Sequence, residues 1–254
     1  MQYLYIAAFV PVVSSWTTAI TTGFFTTWPG LTSALVQKHL PKSIATAKGR
    51  LCQDQQNVRS TRNTSPSTTI SNPPFMTKLT LPSQKDKVRT QMAYLQTIEF
   101  TVKLSTDQTG RFPVTSSRGS KYIVVLYDHY SNAILAKPLT SRNKHELIQA
   151  TRFLHAYLSD RGLTPQYQIL YNECPSGLKT FLRAASVKFQ LVPPYLHRAN
   201  AAERAIQTYK DHLIAGLSSC DPNLPLHLWD HLIPYATLTL NILRPSCLNP
   251  RLSA

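Results

Sequence analysis

Apolar positions along this chain change period twice, and the changes divide it into three stretches. Residues 1–37 are apolar or uncharged polar throughout, and "YLYIAAFVPVV" leads into "SSWTTAITT". Pro11 and that polar run interrupt the stretch well short of the ~18 apolar residues a membrane span requires, so a packed helical hairpin is the expectation. A helix is then predicted near Leu31 to His39, halted by Pro41, followed by a short basic helix around Ile44 to Gln56. From Arg59 to Lys87 the chain is rich in Ser, Thr, Pro and Asn without periodicity, which reads as a flexible basic linker.

Beyond the linker the period becomes regular. "FTVKLSTD" (100–107), "KYIVVLYD" (121–128) and "NAILAKPL" (132–139) read as three consecutive strands. Leu147, Thr151, Leu154 and Leu158 recur at helical spacing before a stop at Gly162. "YQILY" (167–171) is a fourth strand, 176–185 a helix, and "VKFQLV" (187–192) a fifth strand ended by Pro193-Pro194. Ala202, Ile206, Tyr209, Leu213 and Leu217 then line one helix, and Trp229, Leu232, Ala236, Leu240 and Leu243 a last one. The order βββαβαβα predicts an α/β fold, a mixed five-stranded sheet flanked by helices with a helical segment before it. The expected divisions are 1–58, 59–98 and 99–254.

Charge narrows the partner. Lys and Arg total 27 against 12 Asp and Glu, a formal net charge of +15, which favours a polyanion such as nucleic acid. The four cysteines are far apart with no CxxC, and His39 with Cys52 lacks the second ligand pair that structural zinc needs. Reduced thiols and an intracellular setting follow.

Few acids remain to do chemistry. Asp107 falls at the end of the first strand, "LYNE" follows the fourth, and Glu203 opens the helix after the fifth. Strand ends and helix starts converge at one rim of such a sheet. Carboxylates there can hold a pair of Mg²⁺ ions ~4 Å apart for phosphoryl transfer. Each residue also has a plainer reading. Asp107 would begin the "DQTG" turn, Asp128 would shape the turn into "HYSN", and Glu203 would complete a capping box with Asn200.

The stretches "STDQTGRFPVTSSRGSKYIVVLYDHYSNAILAKPL", "VPPYLHRANAAERAIQTYK" and "LHLWDHLIPYATLTLNILRPS" resemble the catalytic core of retroelement integrases of the copia type, ribonuclease-H-like polynucleotidyl transferases with an Asp, Asp, Glu triad. Residues 26–61 look like the segment preceding that core in retroelement polyproteins. The resemblance implies DNA integration, Mg²⁺ or Mn²⁺ as cofactor, DNA as partner, a homo-oligomer and a nuclear setting. It places the first acid at Asp107 and the third at Glu203, both as metal ligands. The second falls on Tyr171, a phenol with pKa ~10 and a poor ligand for a hard cation. Glu173 is the candidate substitute, two residues displaced. Arg198, Arg204, Gln207 and Lys210 match the side of the glutamate helix that faces DNA. No C-terminal small-barrel DNA-binding domain is expected. The expectation is therefore a degenerate integrase-like chain, catalytically impaired; the alternative is a nucleic-acid-binding or dimerising module without catalysis. A membrane anchor in the first 37 residues is the weakest reading, so no membrane partner is expected.

Overall fold

Strand β1 (Lys103–Gln108) pairs antiparallel with β2 (Tyr122–Asp128), and β2 pairs antiparallel with β3 (Ile134–Leu139). A computed structural model of the chain describes residues 1–40, 43–51, 102–170, 174–192 and 201–254. Four helices come first: α1 (Gln2–Ala7), α2 (Val13–Thr22), α3 (Ser33–His39) and α4 (Ile44–Gly49). After the meander come α5 (Lys144–Ser159), β4 (Tyr167–Leu170), α6 (Ser176–Ala184), β5 (Lys188–Leu191), α7 (Ala201–Ser219) and α8 (Ile233–Ile242). The strand order is β3-β2-β1-β4-β5, with β4 parallel to β1 and β5 parallel to β4. This is the mixed five-stranded sheet flanked by helices that the element order implied.

Side-chain alternation gives the sheet two apolar faces. Ile123, Val125 and Ile134 pack against Ala205, Tyr209 and Leu213 of α7 and against Trp229, Ile233 and Ala236. Leu104, Val124, Leu126 and Leu135 point the other way, onto Leu147, Leu154 and Leu158 of α5. Helix α6 adds Leu178 and Leu182 over Leu170 and Val187. The period-2 and period-3.6 patterns thus meet in two layers, where each fully buried Leu or Ile contributes about 1.5–3 kcal/mol. Gly162 takes the left-handed conformation (φ 79°) and its N–H bonds to Ser159 O, ending α5 in the manner its sequence position suggested.

The structure shifts several expected bounds. The single last helix is a 3₁₀ turn, Leu226–Leu232, followed by α8. Pro234 explains the break, because it lacks the N–H that a continuous helix would use and is tolerated only in a first turn. On α7 the buried stripe runs through Ala202, Ala205, Tyr209, His212, Leu213, Ala215 and Gly216, while Ile206 and Leu217 are only half-buried. Small residues occupy the stripe because another layer lies against it. Helix α4 ends at Gly49 rather than near Gln56, which lies outside the described residues.

That layer is the N-terminal segment. Thr32 and Ser43 cap α3 and α4 through their hydroxyls, accepting Leu35 N–H at 3.3 Å and Ala45 N–H at 3.2 Å. Tyr5, Trp16, Phe25 and Val36 form its own apolar cluster, with Tyr5 and Trp16 rings 5.1 Å apart. Met1–Leu51 belongs to the same compact unit as Phe100–Ala254, and Phe9 enters the core beside α7. The stretch 59–98 lies outside the described residues. Among the described residues no helix is long and apolar enough to cross a membrane.

Candidate active site

Asp107 does not end β1. Gln108 is still in the strand, and Thr109 continues the pairing, its N–H donating to Ile123 O at 2.8 Å and its hydroxyl accepting Ile123 N–H at 3.0 Å. The turn reading of Asp107 is corrected accordingly. Asp107 pairs in register with Val125, whose side chain packs beneath α7, so its carboxylate belongs to the α7 face of the sheet. It is half-buried, and one oxygen accepts Gln108 N–H at 2.8 Å. Asp107 also borders a small cavity of about 50 Å³ on the α5–α6 side, lined by Val124, Leu147, Thr151 and Leu178 together with Cys174 and Pro175.

Beneath it, on the α5 side, runs a buried polar chain. His155 Nε2 lies 2.9 Å from Gln168 Oε1, and Gln168 Nε2 donates to Thr106 Oγ1 at 2.8 Å. The amide oxygen can only accept, so His155 carries its proton on Nε2. Burial lowers the His155 pKa and keeps the ring neutral. This chain ties α5 to the β1–β4 seam one residue before Asp107. The signal in the sequence is a Gln inside the apolar "YQIL" and a His on an apolar helix face.

Asp128 fills the turn role expected of it. Its oxygens accept Tyr130 N–H and Ser131 N–H, each at 3.0 Å, and the Ser131 hydroxyl at 2.6 Å. Asp230 is a second buried acid, with no local sequence pattern to mark it. Asp230 accepts from Ser116 Oγ at 2.9 Å, Ser120 Oγ at 3.3 Å and Arg118 Nε at 2.9 Å, joining the β1–β2 loop to the 3₁₀ turn. Burial pushes its pKa up, but the Arg118 and Ser116 hydrogen bonds with the Arg118 and His231 charges outweigh that and hold it below the usual range.

Glu203 lies in the first turn of α7 and is exposed, where a negative charge complements the helix dipole. Asn200, its expected capping partner, lies outside the described residues, as do Tyr171, Glu173 and Arg198. Gln207 and Lys210 follow Glu203 at four- and seven-residue spacing on one side of α7; Gln207 is exposed and donates to Asp211 at 2.6 Å. Arg204 is exposed beside them. Helix α7 lies across β1 and β2, so the structure gathers Asp107 and the Glu203 helix on one sheet face. Among the described residues no three His, Cys, Asp or Glu side chains are grouped to hold a metal ion.

The solved structures that resemble the chain include retroviral integrase structures. A chain of the simian T-cell lymphotropic virus intasome, determined with a PP2A regulatory subunit, shares 19% identity at a TM-score of 0.48 over 57% of this chain and 50% of its own length. The HTLV-2 integrase catalytic core, solved with magnesium in a dimeric form, shares 21% identity at 0.44 over 59% of this chain and 92% of its own. The BIV integrase catalytic core shares 16% at 0.42 over 56% and 84%. This chain therefore spans about half the length of the first of them. No family model and no curated protein matches the chain.

Proposed function

We propose that the chain is the core of an integrase-type DNA strand transferase of the copia retrotransposon kind, retaining DNA binding and impaired in catalysis. The observation that carries this reading is topological. Asp107 sits on a central strand flanked by β2 and β4, on the face covered by the helix that Glu203 opens. Sheet order and the face shared by β1 and α7 support the sequence resemblance.

The chemistry in that family joins a DNA 3′-hydroxyl to a phosphodiester, and divalent ions supply the charge neutralisation and activate the hydroxyl when bound. The donor set here does not fit a pair of hard ions. The matching second position reads Tyr171, a phenol, and a hard cation wants several oxygen donors in near-octahedral geometry. The polypeptide's remaining role is to hold DNA: Arg198, Arg204 and Lys210 neutralise phosphates and Gln207 hydrogen-bonds beside them. A nuclear setting and a homo-oligomer belong to the same proposal.

The test is restoration. Tyr171→Asp is expected to recover Mn²⁺-dependent disintegration of a branched DNA substrate, and adding Glu203→Gln to abolish it. Cleavage by the unaltered chain that Glu173→Gln stops would overturn the impairment and make Glu173 the second acid. A folded, silent Tyr171→Asp chain would remove the catalytic reading and leave the binding module.

A further inference from the structure

The layer opposite α7 presents a second pattern of charge and rings. Lys137 of β3 places its ammonium 3.9 Å from the centre of the Phe153 ring on α5. One residue earlier, Arg152 sets its guanidinium 5.2 Å from the Phe181 ring on α6, and Arg183 of α6 lies 5.8 Å from the Phe189 ring on β5. Three cation–ring pairs thus cross the sheet from one edge strand to the other. Strand spacing of ~4.8 Å makes that crossing about 19 Å.

The placement is set by register. Lys137 pairs with Val124 and Phe189 with Gln168, and both partners face the α5–α6 layer, so Lys137 and Phe189 do too. Arg152, Phe153 and Arg183 are exposed, and Phe153 keeps 49% of its surface open to solvent. Where the strip reaches the turn between α6 and β5 it opens into a concavity of about 400 Å³, bordered by Arg183, Ser186, Lys188 and Phe189. Burial of apolar surface does not account for a large exposed ring flanked by cations.

We infer that the α5–α6 layer is a second nucleic-acid surface, one that takes a single strand by stacking bases on Phe153 and Phe189 while Lys137, Arg152 and Arg183 neutralise phosphates. A basic groove tracking a backbone between aromatic platforms is the physical design of single-strand binding, and ~19 Å matches the shortest such sites of about four nucleotides. A duplex keeps its base faces stacked inside and has nothing to offer the rings. The inference is independent of the reading of Asp107 and Glu203, since the two surfaces lie on opposite faces of the sheet.

The probes are labelled dT₂₀, U₂₀ and a 20-base-pair duplex, titrated by fluorescence anisotropy onto the full chain at several salt concentrations. Phe153→Ala is expected to weaken dT₂₀ or U₂₀ binding about tenfold with no change of salt slope. The pair Arg152→Gln/Arg183→Gln is expected to flatten the single-strand slope by about 1.4, at ~0.7 per phosphate contact. Neither change should move duplex affinity, and Lys210→Ala should not move single-strand affinity. Preference for U₂₀ or for dT₂₀ identifies which sugar the surface takes and supports the site in either case. Unchanged single-strand binding in both variants, with far-UV circular dichroism intact, overturns the inference. So does its loss in Lys210→Ala alone, which would assign all binding to α7, and so does equal competition by polyglutamate, which would leave charge without stacking.

Discussion

Replacing Gly216 by alanine sets two known effects of opposite sign against each other. Gly216 lies at the start of the last turn of the 19-residue helix α7, where alanine would be favoured by up to about 1 kcal/mol on helix propensity. A Cβ built there, however, overlaps Cδ1 and Cε1 of the Phe9 ring and sits 2.6 Å from its Cγ. The ring cannot easily yield. It is 5% exposed, stacks on His212 with centroids 5.4 Å apart, and meets Tyr235 at 5.4 Å on another side. Phe9 also holds a left-handed backbone (φ 62°), followed by Val10 at φ 48°, a conformation a β-branched residue adopts only when its surroundings impose it.

Overpacking costs about 1–3 kcal/mol, and overlap with an immobile ring puts this site at the upper end. The expected net change for Gly216→Ala is a loss of about 1–2 kcal/mol, or about 2–8 °C in Tm for a chain of this size. Urea unfolding of the full chain, compared at constant m, measures it. The cycle with Phe9→Leu isolates the cause: a smaller, more adaptable side chain should recover at least about 1 kcal/mol of the Gly216→Ala loss. Gly49→Ala is the contrasting case. Its Cβ would overlap Asp211 O and approach Ala215 N at 2.9 Å, and no side-chain truncation can relieve a clash with backbone. Stabilisation by Gly216→Ala of about 1 kcal/mol, the propensity effect alone, would refute the docking of Phe9 on α7.

Three further expectations follow from the charged and buried polar groups. Asp230→Asn should cost about 1–2 kcal/mol at pH 7, the worth of its hydrogen bonds with part-exposed Arg118. Because the folded carboxyl titrates below its unfolded value of ~3.9, that difference is present above ~3.9 and vanishes as pH falls through the folded pKa, which urea midpoints at pH 7 and pH 3 compare. His212 is buried and its pKa falls from 6.5 to about 3, so the unfolded chain takes up the proton first; stability should decline as pH drops below 6.5, and His212→Gln should flatten that decline between 6.5 and about 3. For DNA binding, Lys210→Ala should reduce the log-affinity against log-salt slope for duplex DNA by about one unit across all sequences, and an unchanged slope would make Lys210 an ordinary solvated charge.

What the sequence revealed and what it hid divide along physical lines. Strands β1 to β5 and helices α5 and α7 were legible because a sheet face and a helix stripe each impose a period on large apolar residues, as Ile123 with Val125 and Leu147 with Leu154 show. The break before α8 was legible in principle, since Pro234 lacks the donor, but the apolar spacing across Trp229 and Ala236 read through it. The Asp230 bonds to Ser116, Ser120 and Arg118 could not be seen, because partners 110 to 114 residues apart leave no local pattern. Nor could the seam between the N-terminal helices and α7. It is built from Gly49, Ala215 and Gly216, residues that signal by having no side chain to bury.

That seam bears on the candidate site. Helix α7 is pressed from one side by the sheet through Ala205, Tyr209 and Leu213, and from another by α4 at Asp211 and Ala215 and by Phe9 at Gly216. Tyr209 adds a buried hydroxyl that donates to Ile233 O at 3.1 Å, fixing α7 against the start of α8. All these restraints act from Ala205 onward. Glu203, Arg204 and Gln207 lie at the exposed beginning of the same helix, where only Ala202 and Ala205 are buried. A helix transmits position along its hydrogen-bonded length, so a chain that fixes the distal turns of α7 sets the direction in which its first turn projects. The N-terminal segment therefore works as a buttress for the helix that carries Glu203 and Lys210.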